Sequence, residues 1–364
     1  MKKICIFMGH HFKKTRGGGA ELQAHFLSKE LTSYFEVHYV YYSSSNSSFH
    51  DQETNVFHHT IRKKISKFNF FDRLNYSEYK KLFTKIKPDI VYQRGFHHYD
   101  ISVKLKKLFG YKLVTGISMD SQCMKESFNF SLRGLLSSLN YSALKSVLRN
   151  SDVIISQTKY QETQLFNNFN LKSKVIPNFH DSSTNFFPKL PIICWVGSIK
   201  KWKRPELFFE FSRLFNKEFK FFLVGPIVDI EYKSKIRCWT EESNNNFFFG
   251  RVSYHKVNKL LAYSKFLINT SKPYEGFPNS FIQAWQNGAL VLSDNFDPDN
   301  IIEKTGYGKV SSDIFELKDY TLENLSFSIK SSESKNFALN KYSSRNIMNK
   351  YIDKEIGINA ISSY

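Results

Sequence analysis

A chain of 364 residues, 41% hydrophobic and 16% aromatic, has apolar mass for two domains that each bury a core, which excludes disorder as its default state. The net charge of +19 is uneven: residues 1–190 hold 28 Lys and Arg against 14 Asp and Glu, and the rest hold 24 against 19. A basic half suits phosphates, anionic lipid or nucleic acid, or simply reflects a Lys-rich composition.

No apolar run reaches the roughly 20 residues that span a bilayer, and no leader-like pattern opens the chain. Cys5, Cys123, Cys194 and Cys238 show no paired spacing. The expectation is a cytoplasmic protein without disulfide or zinc.

From the N-terminus, KICIFM, the helical AELQAHFLSKELTSY and FEVHYVYY open an alternation of short apolar strands and helices. It continues through YSEYKKLFTKIK, DIVYQR, DISVKLKKLF, YKLVTGI, LRGLLSSLNYSALKSVLRN, DVIISQ, KYQETQLFNNF and SKVIPN. Strands of four to seven residues separated by longer helices imply βαβ units on a parallel sheet. SSSNSS at 43–48 reads as a solvated loop. HDSSTNFFPKL then breaks the pattern, and ICWVGS, RPELFFEFSRLF, FKFFLVG, NFFFG, SYHKVNKLLAYS, KFLINTS, SFIQAWQ and ALVLSD repeat it. The expected organisation is an N-terminal Rossmann-like domain over 1–182, a linker at 183–190, a second such domain over 191–340 and a crossover helix with a tail over 341–364. A cleft between the two is the expected ligand site.

Three stretches carry chemistry. GGGAEL, residues 17–22, follows the first strand and opens a helix, where glycines bring backbone N–H groups close to an anion. A tight turn alone also explains them, and the pattern is not the GxGxxG of a nicotinamide or flavin site. WVGSIKKWKRPELF, residues 195–208, sets Lys200, Lys201, Lys203 and Arg204 before a helix with Pro205 in its first turn, a phosphate pocket in outline. In KPYEGFPNSFIQAW, residues 272–285, Ser280 and Gln283 have the spacing of a capping box, a reading in which Glu at 283 is tolerated. Glu275 stands before that cap with no structural reason, placed to accept hydrogen bonds from sugar hydroxyls while the N–H groups of Gly276, Phe277 and Asn279 face the same ligand.

Together with VIPNFHD and FFFGRVSYHKVNKLLAYS, these motifs resemble glycosyltransferase family 4, the retaining GT-B enzymes, over residues 17 to about 295. The resemblance implies a GT-B fold: two Rossmann-like domains facing each other across a cleft, with a C-terminal helix crossing back. In that family two Glu eight positions apart contact the donor sugar and the ribose; Glu275 matches the first and Gln283 stands at the second. Ser198 replaces the usual phosphate-binding Arg, while Lys203 keeps the Lys. By the same resemblance Gly18 and Gly19 approach the donor phosphates, Arg251 and Val252 lie beside the base, and Asp120 matches the Asp of a His-Asp pair whose His is missing.

The implied activity is retaining transfer of a hexose-type sugar from a nucleoside diphosphate sugar to a glycan or lipid-linked glycan acceptor, in capsule, O-antigen or lipopolysaccharide synthesis. No cofactor and no metal are expected: lysines fill the charge role, and the donor half is read as having no Asp-x-Asp triplet and no metal-ligand cluster. The alternatives are a GT-B nucleotide-sugar epimerase and a non-catalytic sugar-nucleotide-binding protein. The aromatics fall at core periodicity, against a nucleic-acid partner. TIRKKISKFNFFDRLNY, residues 60–76, interleaves Ile61, Ile65 and three Phe with Lys and Arg, as a peripheral segment on an anionic membrane does, or as a buried helix face with solvated lysines does.

Overall fold

The computed structural model describes every residue except 14–16, 64–72, 96–98, 126–131, 182–186, 216–217, 327 and 353–364. It divides into two compact units, Met1–Pro177 joined by the segment from Ile347 onward, and Asn178–Asn346. Both are α/β units of the wound type expected.

The first unit runs β1 (Lys3–Phe7), α1 (Gly19–Leu31), β2 (Glu36–Ser43), β3 (Ser47–Asp51), β4 (Val56–Arg62), α2 (Tyr76–Ile86), β5 (Ile90–Arg94), α3 (Tyr99–Phe109), β6 (Lys112–Gly116), α4 (Leu132–Asn150), β7 (Val153–Ser156), α5 (Lys159–Phe169) and β8 (Lys174–Val175). The sheet order is β3-β4-β2-β1-β5-β6-β7-β8, parallel throughout except for β3, which runs antiparallel to β4. Helices cover both faces of such a sheet, so its inner strands are apolar without interruption: Ile4 to Phe7 are all buried.

Part of the solvated loop at 43–48 is therefore strand, since Ser47 and Ser48 open β3. Residues 64–72 of the membrane candidate lie outside the described residues. Of its described part, Ile61 is a β4 residue buried in the core beside Tyr42 and Tyr79, not a membrane-facing one. No helix among the described residues is long and apolar enough to cross a membrane.

The second unit runs β9 (Leu190–Val196), α6 (Pro205–Ser212), β10 (Lys220–Val224), α7 (Tyr232–Glu241), β11 (Asn246–Phe248), α8 (Tyr254–Tyr263), β12 (Ser264–Asn269), α9 (Asn279–Gln286), β13 (Leu290–Ser293), α10 (Ile301–Thr305), β14 (Gly308–Val310), α11 (Ile314–Glu323) and α12 (Ser328–Tyr342). Its sheet is wholly parallel in the order β11-β10-β9-β12-β13-β14. One core, under α6, is built on Trp195, Phe208, Phe211 and Phe221; the other packs Trp285 of α9 with Ala338 and Tyr342 of α12. The last helix, α13 (Ser344–Ile352), leads into the segment grouped with the first unit, where the buried Tyr351 meets Tyr92 edge-on.

Candidate functional site

Numbered from its own first strand, the second sheet has the order 3-2-1-4-5-6, in which the connections leaving strands one and four depart in opposite directions. The crevice this opens at the carboxyl ends of β9 and β12 is where open α/β sheets bind ligands. The two loops that leave there, 197–204 and 270–278, carry Lys203 and Glu275.

Side chains beneath fasten the loops together. Trp195 Nε1 donates to Thr270 Oγ1 at 2.9 Å, and that hydroxyl donates to the Lys203 carbonyl at 2.7 Å. Lys272 N–H donates to the Trp202 carbonyl at 3.0 Å. A Cβ at position 197 would lie 3.2 Å from Lys203 Nζ and 3.3 Å from its Cδ, so Gly197 gives the lysine its room. Thus held, Lys203 Nζ lies 2.5 Å from Glu275 Oε1 and 4.9 Å from the centre of the Trp202 ring. At 11% and 20% side-chain exposure the pair is too enclosed to be screened as surface charges are. Glu275 Oε2 is buried with no partner among the described residues. A carboxylate oxygen left so is costly unless a ligand fills its valence.

Of the four cations before α6, Lys203 is the one joined to Glu275. Arg204 takes a left-handed backbone at φ 45°, donates from Nε to the Thr270 carbonyl at 2.8 Å and pairs through Nη2 with Asp294, so it braces the loops. Lys201 is exposed, and its N–H is bound by Asp229. Ser198 is half-buried just beyond Gly197. Arg251 is exposed and Val252 half-buried after β11.

The capping box is not formed. Helix α9 begins at Asn279 with Pro278 as N-cap and no side-chain cap, because proline fixes the φ that starts the turn two residues before Ser280. Gln283 instead is buried and donates from Nε2 to Asn258 Oδ1 in α8 at 3.0 Å. Gly276 takes φ 73°, a turn only glycine enters without strain. The Phe277 carbonyl accepts from Asn178 Nδ2 at 2.8 Å, and Asn279 Oδ1 lies 3.2 Å from His180 Nε2.

The sequence does contain an Asp-x-Asp triplet, Asp297-Pro298-Asp299, contrary to the reading that the donor half has none. Asp297 accepts from the N–H groups of Ile302 at 2.9 Å and Glu303 at 3.1 Å, which ties it to α10, and burial raises its pKa. No group of three His, Cys, Asp or Glu among the described residues is arranged to hold a metal.

Gly18, Gly19 and Asp120 belong to the first unit. The Gly18 N–H donates to Glu21 Oε2 at 2.8 Å, so the helix's own N3 residue occupies it. Gly17 is the glycine sterics demand, since a Cβ there would stand 2.5 Å from Phe12 Cα. Asp120 is buried and accepts from Gln161 Nε2 at 2.9 Å. Sequence reasoning missed Arg204 with Asp294 as braces, and Tyr254, Asn258 and His180 behind α9. Partners 25 to 99 residues apart leave no local signal.

The sequence profile of glycosyltransferase family 4 matches residues 17–184, and that of the glycosyl transferases group 1 matches residues 178–308. No curated protein sequence matches the chain. Among solved structures, Anabaena Alr3699/HepE in complex with UDP and glucose superposes with a TM-score of 0.75 at 14% identity, over 98% of this chain and 100% of that one. Sucrose-phosphate synthase from Thermosynechococcus elongatus gives 0.79 at 13% identity, over 96% and 97%. The lipopolysaccharide outer core galactosyltransferase WaaB gives 0.66 at 14% identity, over 96% and 98%. At these identities the likeness speaks to the fold.

Proposed function

The chain belongs to the glycosyltransferases of the family 4 type, and from that premise we propose that it moves a sugar from a nucleoside diphosphate sugar, a UDP-sugar, to a hydroxyl of a glycan or lipid-linked glycan, with retention at the anomeric carbon and without a metal. The observation that carries this is the Lys203–Glu275 pair at the carboxyl ends of β9 and β12, with one carboxylate oxygen buried and unsatisfied.

The leaving group is a diphosphate, so the barrier falls by stabilising its developing charge. Lys203 supplies a cation, and the loop of its partner Glu275 leads into the N-terminus of α9, the positive end of that helix's dipole. Glu275 Oε2 accepts a hydroxyl of the transferred sugar and orients it, while Gln283 takes the ribose. Gly276, Phe277, Asn279 and Ser198 line the phosphates, and Arg251 with Val252 the base. Gly18, Gly19 and Asp120 stay in the proposal through family resemblance, Asp120 as a catalytic-site residue.

UDP is favoured because HepE is solved with UDP and glucose, and a saccharide acceptor because WaaB is a lipopolysaccharide galactosyltransferase. The test is incubation of purified protein with UDP-glucose, UDP-galactose and UDP-N-acetylglucosamine plus an oligosaccharide acceptor, reading UDP release and product anomeric configuration by NMR. An α-linked product from the α-linked donor supports retention, and a β-linked product removes it. Interconversion of donors without acceptor favours an epimerase, and binding without UDP release favours a non-catalytic protein. Peripheral recruitment through residues 60–76 is tested separately by co-sedimentation with anionic and neutral liposomes at low salt; no binding to the anionic ones removes it.

A further inference from the structure

We infer that Asn178 is a positioning residue for the reaction: from the first position of the second unit it holds the Phe277 carbonyl, and so fixes the turn that presents Glu275 to the sugar. The inference rests on the reading of Glu275 above and deepens it by naming what aims the carboxylate.

Glu275 is not aimed by its own neighbour. Gly276 follows it at φ 73°, and glycine leaves a backbone more freedom than any other residue, so the chain on that side of the carboxylate sets no direction by itself. Phe277, one step further, is the fixed point. Its ring is buried, with its centre 5.3 Å from that of Tyr342. Pro278 is the N-cap of α9, and its carbonyl is the first that the helix engages, accepting from the Phe281 N–H at 3.2 Å. The Phe277 carbonyl stands one residue before that and is met from outside the helix: Asn178 Nδ2 donates to it at 2.8 Å, from a residue 99 positions away that is itself buried.

The anchor is anchored in turn. The His180 N–H donates to the Tyr342 carbonyl at 3.1 Å, His180 and Ser343 form an isolated parallel bridge, and the His180 carbonyl accepts from Gln286 Nε2 at 3.3 Å. Segment 178–180 is thus fastened to the end of α12 and to α9, with Phe179 buried in its middle. The same Tyr342 backs the Phe277 ring, so ring and carbonyl are held from one support. Before the carboxylate, the Lys272 N–H is bound to the Trp202 carbonyl at 3.0 Å. Glu275 therefore hangs between two fixed points, and the carbonyl of the later one is held by a side chain that can be cut. VIPNFHD, which touches no ligand in the proposed mechanism, acts on the site through Glu275.

The test is a double-mutant cycle on donor turnover, read as UDP release. Asn178→Ala is expected to lower kcat about tenfold in the wild-type background, while UDP affinity by calorimetry stays within about twofold, because the phosphate cation Lys203 belongs to the other loop. In a Glu275→Ala background, where no carboxylate is left to aim, the same substitution is expected to change the residual rate by about twofold or less. A tenfold fall in both backgrounds, an unchanged kcat in the first, or a loss of UDP affinity as large as that of kcat overturns the positioning role. Where Asn178→Ala is too unstable to purify, Asn178→Asp keeps the shape and puts an oxygen where the N–H stood, with the same outcomes expected. Independently of activity, hydrogen exchange read by mass spectrometry over residues 271–278 is expected to quicken about tenfold in Asn178→Ala, with exchange over β10 unchanged. Equal exchange over 271–278 in variant and wild type overturns the inference. Failure of the wild type to turn over any nucleotide sugar sinks the donor reading instead, and the exchange result still decides whether Asn178 holds the loop.

Discussion

Lys203 and Glu275, 72 residues apart in the chain, meet with 2.5 Å between Nζ and Oε1, and the second oxygen of the same carboxylate is buried without a partner. One group therefore joins the cation suited to a phosphate to an acceptor suited to a sugar hydroxyl. Removing either side should separate the two roles.

Glu275→Gln keeps an oxygen for Lys203 but loses the charge. Transfer is expected to fall about 10- to 150-fold, the worth of a charge-assisted hydrogen bond of about 1.5–3 kcal/mol. The fold should survive, because the residue stands in a loop. Turnover equal to the wild type, with an unchanged melting temperature, would remove Glu275 from the site.

Lys203→Ala should weaken UDP by a similar factor and uridine hardly at all, since the ammonium answers to phosphate. Calorimetry with the two ligands measures the difference. Equal losses for both would point to a collapsed loop.

Arg204→Ala should do the opposite. Its guanidinium is bound to the Thr270 carbonyl and Asp294, so the expected outcome is a lower melting temperature with the ratio of UDP to uridine affinity unchanged. A selective loss of UDP affinity would make Arg204 a phosphate ligand.

Acid should destabilise the first unit through its histidines. Burial lowers His25 and His59 from near 6.5 to about 4, with nearby cations and the other ring nitrogens adding to the effect. Between pH 6.5 and 4 the unfolded chain thus binds protons the folded one refuses, and stability falls as pH drops through that window, by about 1.4 kcal/mol for each pKa unit withheld. The expected result is a melting temperature that declines from pH 7 to 4.5 more steeply in the wild type than in a His25→Asn, His59→Asn variant. Parallel slopes would contradict it.

Chelation should leave transfer intact. On the proposed mechanism Lys203 supplies the charge a metal would otherwise bring, and Asp297 of the Asp-x-Asp triplet is occupied in tying down α10. Assay in EDTA with and without added Mg²⁺ or Mn²⁺ checks this, and loss in chelator with rescue by metal would refute it.

The sequence by itself determined the two wound α/β units and the loops that matter. Alternating apolar runs and helices are local patterns, and a Glu between a strand and a proline-bounded helix is visible in fourteen residues. It misplaced what depends on one turn of backbone: the N-cap of α9 is Pro278 rather than Ser280, and Gln283, instead of closing a capping box, donates a hydrogen bond to Asn258.

Only the tertiary structure decided which cations serve which end. In sequence Lys203 and Arg204 are neighbours of like charge. In the fold, the left-handed turn at Arg204 points the two side chains to different partners, Glu275 and Asp294. The contacts of His180 with Tyr254 and Asn279, and of Gln283 with Asn258, are likewise invisible in one dimension, because the partners lie 25 to 99 residues apart and spacing along the chain carries no information about a valence satisfied across it.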